Sequence, residues 1–367
     1  MWYGHPRYFW CILPGTNALQ LTLTGLCFIV VQYFLVQSYC PDMVCPNAPS
    51  WVWFAACACF FIYQTLDAID GKQARRTGSS SCCGELVDHC CDAFSLSSMF
   101  ITVNSAMQAG SGPVVTTMFL FAVAQFYCTH YNTYYRHMMV LNSFSGPTEA
   151  QVLSMSMILI TGIFGGSIWL TPFFDVLPAT LQSALLAQSP TLVAAMQSIS
   201  IAEAELLAAM VLSAFTLLQL IRDVRLHVRN QLKFLGSLIN LLPLLINLSV
   251  FLYFMEVTVV HPEAAYLRRC IFTIGGWANA HSATEIVVAH MAQRPSINIT
   301  RFWSAFYVAG LWMLDVSGQV QVEVLLHYGV WALIVLSVMW FALICHEIDN
   351  HFHIPFFTIQ KKKQKQQ

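Results

Sequence analysis

The sequence predicts an all-α, polytopic membrane protein with about ten transmembrane helices. Of its 367 residues, 57% are hydrophobic and only 10% are charged. Soluble domains carry about 25% charged residues, so a water-soluble protein of this composition would lack a polar surface. The apolar residues also fall into long runs separated by short polar connections, and a membrane helix needs about 20 mostly apolar residues. The net charge of −1 gives no indication of a nucleic-acid partner.

The apolar runs follow one another along the whole chain. They cover residues 19–36, 51–66, 86–107, 114–135, 152–170, 202–221, 234–254, 270–290, 302–314 and 325–345. The second and third runs continue into polar ends, and the ninth is short enough to be a re-entrant segment instead. The longest connection on the side away from the termini, residues 171–201, is weakly amphipathic and is predicted to cap that face.

The basic residues of the connections fall almost entirely on one side of this topology. With ten spans both termini share that side, and it also carries Arg7, Lys72, Arg75, Arg76, Arg136, Arg222, Arg225, Arg229, Lys233, Arg294, Arg301 and the lysines at 361, 362, 363 and 365. Only Arg268 and Arg269 fall opposite. The positive-inside rule therefore predicts that both termini are cytosolic.

The C-terminus and the cysteines each leave two interpretations open. The last five residues, KQKQQ, resemble a dilysine retrieval signal, which predicts an endoplasmic reticulum or Golgi membrane; the alternative is a basic cluster attracted to anionic lipid. Most of the 13 cysteines lie in apolar runs, where they act as small hydrophobic residues. Cys40 and Cys45 lie in a short polar loop and could form a disulfide.

The densest group of charged residues is the segment 67–92, DAIDGKQARRTGSSSCCGELVDHCCD. Helical spacing places Asp67, Asp70 or Gly71, and Ala74 on one helix face, and Glu85, Asp88, His89 and Asp92 on another. Two helices joined by a small polar turn can thus direct four aspartates towards each other. Carboxylates at membrane helix ends are costly unless compensated, and Mg²⁺ is usually held by carboxylates together with substrate phosphates. The acids outnumber the bases, so a divalent-metal site is favoured over an ion-pair cluster.

Three further features of the segment suit a phosphate ligand. Arg75 offers a fixed cationic fork for a phosphate group. Gly71 and Ala74 leave room beside the helix that a larger side chain would fill. Glu85 and His89 are i, i+4 neighbours, so the carboxylate could orient the imidazole as a general base. Asp92 is the alternative base, and a third interpretation has His89 only supporting a carboxylate ligand.

This segment matches, without a departure, the pattern D-x-x-D-G-x-x-A-R, eight residues, G-x-x-x-D-x-x-x-D, and thereby resembles the CDP-alcohol phosphotransferase family. The resemblance implies that Asp67, Asp70, Asp88 and Asp92 bind two divalent metal ions, Mg²⁺ or Mn²⁺. It also implies that Gly71, Ala74, Arg75 and Gly84 shape the CDP site. The string GELVDHCCD is similar to the eukaryotic choline/ethanolamine branch, in which Glu85 and His89 are associated with the catalytic base. Residues 21–26, 146–152, 285–291 and 344–354 resemble other parts of that branch.

The resemblance implies one integral-membrane domain, residues 1–367, with its catalytic motif at 67–92. Such an enzyme would transfer phosphocholine or phosphoethanolamine from CDP-choline or CDP-ethanolamine to diacylglycerol in the membrane, giving the phospholipid and CMP. A homodimer is compatible with it. Two other functions remain: a CDP-diacylglycerol-dependent phosphatidyltransferase and an ion-coupled transporter. The transporter is disfavoured because the acidic residues of an ion pathway would be spread along it, whereas the acidic residues of this chain cluster at one membrane edge.

Overall fold

The computed structural model describes residues 17–40, 43–45, 47–77, 80–139, 146–259, 261, 263–293, 303–318 and 320–352. These residues are almost entirely helical, and they contain no β-strand beyond one isolated bridge between Pro172 and Ser200. The all-α prediction is therefore confirmed. Arg7, Arg294, Arg301 and the C-terminal lysines lie outside the described residues.

The helices follow the predicted apolar runs in order. They are α1 Ala18–Tyr39, α2 Ser50–Thr77, α3 Cys82–Ala106, α4 Pro113–Arg136, α5 Pro147–Phe164, α6 Ala179–Gln188, α7 Pro190–Gln197, α8 Ile201–His227, α9 Gln231–Ser237, α10 Leu242–Val257, α11 Ala264–Met291, α12 Trp303–Val316 and α13 Val322–Phe352. Each of the predicted spans falls on one of these helices or, for residues 234–254, on the consecutive α9 and α10. The connection 171–201 folds into α6 and α7.

Within the described residues, six helical segments are long and apolar enough to cross a membrane: α1, α2, α5, α8, α9 with α10, and α13. The chain is therefore a multi-pass membrane protein. Helices α3, α4 and α11 are more polar, and α11 packs against α3, α4, α10, α12 and α13. Large apolar side chains of the outer helices face outwards, as Val211 and Leu218 do with 73% and 68% of their surface exposed. Lipid can solvate such side chains, whereas the polar helices need protein partners.

Close helix contacts hold the motif helices in place. A Cβ on Gly276 of α11 would lie 2.2 Å from Cβ of Ser97 on α3, so these helices approach at a distance that only glycine permits. Gly25 of α1 similarly lies against Tyr63 of α2. At the start of α3, Ser81 caps the helix by accepting a hydrogen bond from the Gly84 amide at 3.0 Å. The cap therefore defines where α3 begins within the motif.

The two ends of the bundle differ in character. One end gathers the C-terminus of α2 and the N-terminus of α3, together with Arg136 of α4, which pairs with Asp223 of α8 at 3.1 Å. The other end holds Arg268 and Arg269, at the beginning of α11. The same end contains Cys40 and Cys45, which are joined in a disulfide. Among the described residues, the basic side chains are therefore divided between the two ends of the bundle as predicted.

Candidate active site

Three of the predicted aspartates converge where α2 ends and α3 begins. Each of Asp67, Asp70 and Asp88 contributes a carboxylate oxygen to a group whose members all lie within 4.8 Å of one another. Asp70 is buried, while Asp67 and Asp88 are partly buried. The interhelical turn thus brings together residues that are up to 21 positions apart in the sequence.

The chemistry of this group fits a divalent cation. Oδ1 of Asp88 is buried and has no hydrogen-bond partner in the described part of the chain. The hydroxyl of Thr22 on α1 donates to Oδ2 of Asp70 at 2.5 Å, which orients that carboxylate. No described lysine or arginine forms an ion pair with these acids. A buried carboxylate oxygen without a partner is costly, and a hard cation that prefers oxygen ligands would compensate it.

Asp92 lies one helical turn further along α3, outside the group of three. Its Oδ1 accepts a hydrogen bond from the hydroxyl of Tyr63 at 2.5 Å. The hydroxyl of Ser95 in turn donates to the Tyr63 oxygen at 3.3 Å. Tyr63 is only 1% exposed, so this hydrogen bond is shielded from water. The hydrogen bond fixes the orientation of the Asp92 carboxylate and occupies one of its oxygen atoms.

The residues predicted to shape a nucleotide site lie beside the aspartates. A Cβ built on Gly71 would meet only Nη1 of Arg75, at 3.6 Å, so this glycine is not required by helix packing. Arg75 itself is exposed, and Ala74 is partly buried. Gly84 lies at the first turn of α3, beside the capping Ser81. An open helix face with one exposed guanidinium is a surface to which a phosphate group can bind.

The predicted base, His89, lies among other histidines. It is partly buried, and its ring centroid is 5.2 Å from that of His130 on α4. Glu85 is exposed, and in the described structure it forms no hydrogen bond with His89. The role of Glu85 in orienting the imidazole therefore stays a prediction. Both side chains remain on the same face of α3.

A cavity of about 800 Å³ opens next to Glu85. It lies between α3, the end of α4 and the end of α11, where His137 and His290 stack with ring centroids 5.6 Å apart. Tyr134 and Tyr135 complete the aromatic part of its lining. Nδ1 of His290 is buried and has no hydrogen-bond partner among the described residues. The volume is sufficient for a substrate group of drug-like size.

Several residues at this site are absent from the sequence prediction. Thr22 and Tyr63 contact the aspartates, His130 packs against His89, and His137 and His290 line the cavity. Tyr63 precedes Asp67 by one helical turn, so its position on the motif face could have been recognised. The histidines come from α4 and α11, and no local pattern links them to the motif.

Comparison with known proteins agrees with the motif. Residues 16–177 match the family model of the CDP-alcohol phosphatidyltransferases. An uncharacterized CDP-alcohol phosphatidyltransferase class-I family protein of Dictyostelium discoideum is 44% identical over 151 residues, which are 41% of this chain and 36% of that protein. Human cholinephosphotransferase 1 is 38% identical over 153 residues, or 41% of this chain and 37% of that protein. Choline/ethanolaminephosphotransferase 1 of Arabidopsis thaliana is 37% identical over 150 residues, which are 41% of this chain and 38% of that protein.

These alignments leave much of each protein unmatched. The chain spans about two fifths of the length of the curated relatives that it matches. The matched part includes α1 to α5 and therefore all four aspartates, together with Thr22 and Tyr63. Helices α8 to α13, which contribute His290, lie beyond it. Residues 16–177 of this chain therefore match the CDP-alcohol phosphatidyltransferase family model, and the rest of the chain lies outside that match.

Proposed function

We propose that this chain transfers phosphocholine or phosphoethanolamine from CDP-choline or CDP-ethanolamine to diacylglycerol. The observation that carries the proposal is the convergence of Asp67, Asp70 and Asp88 at one end of a membrane bundle, inside a segment related to named cholinephosphotransferases. A site at the membrane edge suits this reaction, because the nucleotide substrate is water-soluble and the acceptor is a lipid.

The cofactor in this proposal is a pair of divalent cations, Mg²⁺ or Mn²⁺. Asp67, Asp70 and Asp88 would hold one ion, and Asp92, fixed by Tyr63, would complete the ligands for a second. Bound divalent ions neutralise the charge of the pyrophosphate and of the departing phosphate. Four acids without basic partners are a net negative group, so cation binding would also relieve their mutual repulsion.

The remaining motif residues would bind the nucleotide and move the proton. Gly71, Ala74 and Gly84 leave the helix faces accessible to CDP, and the Arg75 guanidinium can donate to a phosphate oxygen in a bidentate manner. In the transfer, the acceptor hydroxyl oxygen bonds to the β-phosphorus, and the bond from that phosphorus to the oxygen of departing CMP breaks. An imidazole nitrogen of His89 takes the hydroxyl proton, and Glu85 provides negative charge on the same helix face.

The choice of His89 over Asp92 as the base rests on the hydrogen bonds. The Asp92 carboxylate already accepts the Tyr63 hydroxyl, and a bound cation would lower its affinity for a proton. His89 lies on the same face of α3 as Glu85, which lines the cavity that contains His137 and His290. That cavity gives the departing proton a route to polar groups at the edge of the bundle.

For the location, we propose an endoplasmic reticulum or Golgi membrane with both termini and the active site in the cytosol. The basic side chains of α2, α4 and α8 gather at the same bundle end as the aspartates. The positive-inside rule assigns such an end to the cytosol. CDP-alcohols would then reach the site without crossing a membrane.

A second candidate is the phosphatidyltransferase reaction, which uses CDP-diacylglycerol and a small alcohol. The name of the matched family model favours it, because the model covers the shared motif and not a head-group site. The signature aspartates serve either reaction equally. The two differ in which substrate carries the lipid, so a substrate comparison separates them.

The test is an assay of the purified full chain with each of three donors and its matched acceptor. CDP-choline and CDP-ethanolamine are supplied with diacylglycerol, and CDP-diacylglycerol is supplied with inositol, each with and without Mg²⁺. Product formation with the first two donors alone would support the proposal. Turnover with CDP-diacylglycerol alone would replace it with the second candidate. Asp70→Ala tests the site, and Asp175→Ala, an exposed acid in the cap, serves as the matched control.

A further inference from the structure

A second cavity lies at the end of the bundle opposite the aspartates. It has a volume of about 370 Å³ and is formed by the last turns of α1, the first turns of α11 and the first half of α13. Its lining contains polar groups from all three helices as well as exposed apolar side chains. Nothing in the proposed transfer reaction uses this cavity.

The polar groups form one connected cluster. Nη1 of Arg269 donates to Oε1 of Gln37 at 3.0 Å, which joins α11 to α1. The guanidinium also lies over the ring of Tyr266, 5.0 Å from its centroid. The Tyr266 hydroxyl shares a hydrogen bond with Nδ1 of His327 on α13. These contacts hold the guanidinium in one position, so a ligand would meet a preorganised cation.

Gln37 indicates that a ligand atom is missing from this cluster. Its side chain is only 9% exposed and lines the cavity. Its Oε1 is occupied by Arg269, while Nε2 is buried and has no hydrogen-bond partner within the described residues. A buried donor without an acceptor is destabilising. An oxygen atom of a ligand bound beside Arg269 would satisfy it.

The apolar part of the cavity lies deeper along the helix axes. Phe34 precedes Gln37 by almost one turn, and Trp331 and Ile334 follow His327 along α13. At a rise of 1.5 Å per residue, Ile334 lies about 10 Å further into the membrane than His327. Phe34 and Trp331 are 57% and 51% exposed, so the cavity opens sideways towards lipid. The polarity thus changes from charged to apolar in the same direction as in a lipid leaflet.

We propose that this cavity binds an anionic phospholipid, with its phosphate at Arg269 and Gln37 and one acyl chain along Phe34, Trp331 and Ile334. Among the described residues, the lining includes one permanent cation and no aspartate or glutamate. Glu323, one turn before His327, is paired with His261 at 2.6 Å. A zwitterionic head group would therefore find no carboxylate for its ammonium within the lining. Inorganic phosphate would leave the apolar wall uncovered.

The test is native mass spectrometry of the purified full chain in detergent, titrated with dioleoyl-phosphatidylglycerol or dioleoyl-phosphatidylcholine. We expect one tight phosphatidylglycerol site and weaker phosphatidylcholine binding. Arg269→Gln removes a charge-assisted hydrogen bond and should weaken phosphatidylglycerol binding by about tenfold or more. Arg268→Gln is the matched control, because its Nη1 lies 3.4 Å from Ser111 and the residue is outside the lining. It makes the same charge change and should bind like the unmodified chain.

The outcomes separate the proposal from its alternatives. Gln37→Leu should also weaken phosphatidylglycerol binding, and equal binding by all three variants would overturn the site. Equal affinity for the two lipids would overturn the preference for an anionic head group. Displacement by excess inorganic phosphate would make this a phosphate site and not a lipid site. Thermal unfolding without added lipid checks that each variant folds, and lipid binding is read independently of the proposed transferase activity.

Discussion

The hydrogen bond from Tyr63 to Asp92 offers a direct test of the metal site. The substitution Tyr63→Phe removes one oxygen atom from a side chain that is 1% exposed and keeps the ring in place. It leaves Oδ1 of Asp92 without its donor, while the Ser95 hydroxyl keeps its hydrogen bond to the Asp92 carbonyl oxygen at 2.9 Å. The aspartates of the main group are not touched by the change. Any effect on metal dependence must therefore pass through Asp92.

The expected magnitude follows from the kind of bond that is lost. A hydrogen bond to a charged group contributes about 1.5–3 kcal/mol, and each 1.4 kcal/mol corresponds to about a tenfold change in an equilibrium constant. Partners of metal ligands typically change metal affinity by about 10- to 100-fold when they are removed. We therefore expect the Mg²⁺ concentration for half-maximal activity to rise by about 10- to 100-fold. Activity at saturating Mg²⁺ should largely return.

The assay is a Mg²⁺ titration of the transfer reaction, with Tyr131→Phe as the matched control. Tyr131 is also 1% exposed, and its hydroxyl is hydrogen-bonded to Ser237 at 2.8 Å, away from the acids. Its loss should cost about 1 kcal/mol of stability without moving the Mg²⁺ requirement. If Tyr63→Phe is folded and its Mg²⁺ titration is unchanged, Asp92 is not a metal ligand that depends on the Tyr63 hydroxyl.

Three further results are expected. Asp88→Ala should abolish transfer, and excess chelator should do the same to the unmodified chain; full activity in chelator would refute the metal proposal. His89→Ala should lower turnover by about 10²- to 10⁴-fold with little change in substrate binding, and Glu85→Gln should lower turnover less. Near-normal turnover of His89→Ala would exclude the imidazole as the general base. Replacing Lys363 and Lys365 with serine should move the protein to later secretory compartments while membrane activity persists, and an unchanged distribution would remove the retrieval signal. A C-terminal tag that is protected from protease in sealed microsomes would contradict the cytosolic tail.

The helices could be predicted from the sequence because each signal is local. Apolar runs of membrane length, the i, i+3 spacing of Asp67 and Asp70, and the i, i+4 spacing of Asp88 and Asp92 depend only on neighbouring residues. The capping Ser81 likewise marks the start of α3 within the same segment. Disulfide pairing of Cys40 with Cys45 stayed open in the sequence, because polarity and spacing permit the bond without requiring it. The structure resolves that alternative.

The partners of the motif could not be predicted because they come from distant helices. Thr22 lies 48 residues from Asp70, and nothing in its own turn indicates a carboxylate partner. His130 and His290 belong to α4 and α11, whose positions against α3 depend on contacts such as that of Gly276 with Ser97. These residues come together only when the bundle forms. The orienting role of Glu85 towards His89 stays a prediction, because i, i+4 spacing permits a contact and Glu85 lies exposed at the cavity.

The polar helices explain where the two cavities lie. Helix α11 buries Asn279, Ser282 and Thr284, which lipid could not satisfy, so the outer apolar helices must surround it. Where α11 emerges at either end, that polar interior meets the membrane surface. At its C-terminal end His290 borders the cavity beside the aspartates, and at its N-terminal end Arg269 borders the second cavity. A single buried polar helix thus creates one site at each membrane surface, with an acidic group at one end and a basic group at the other.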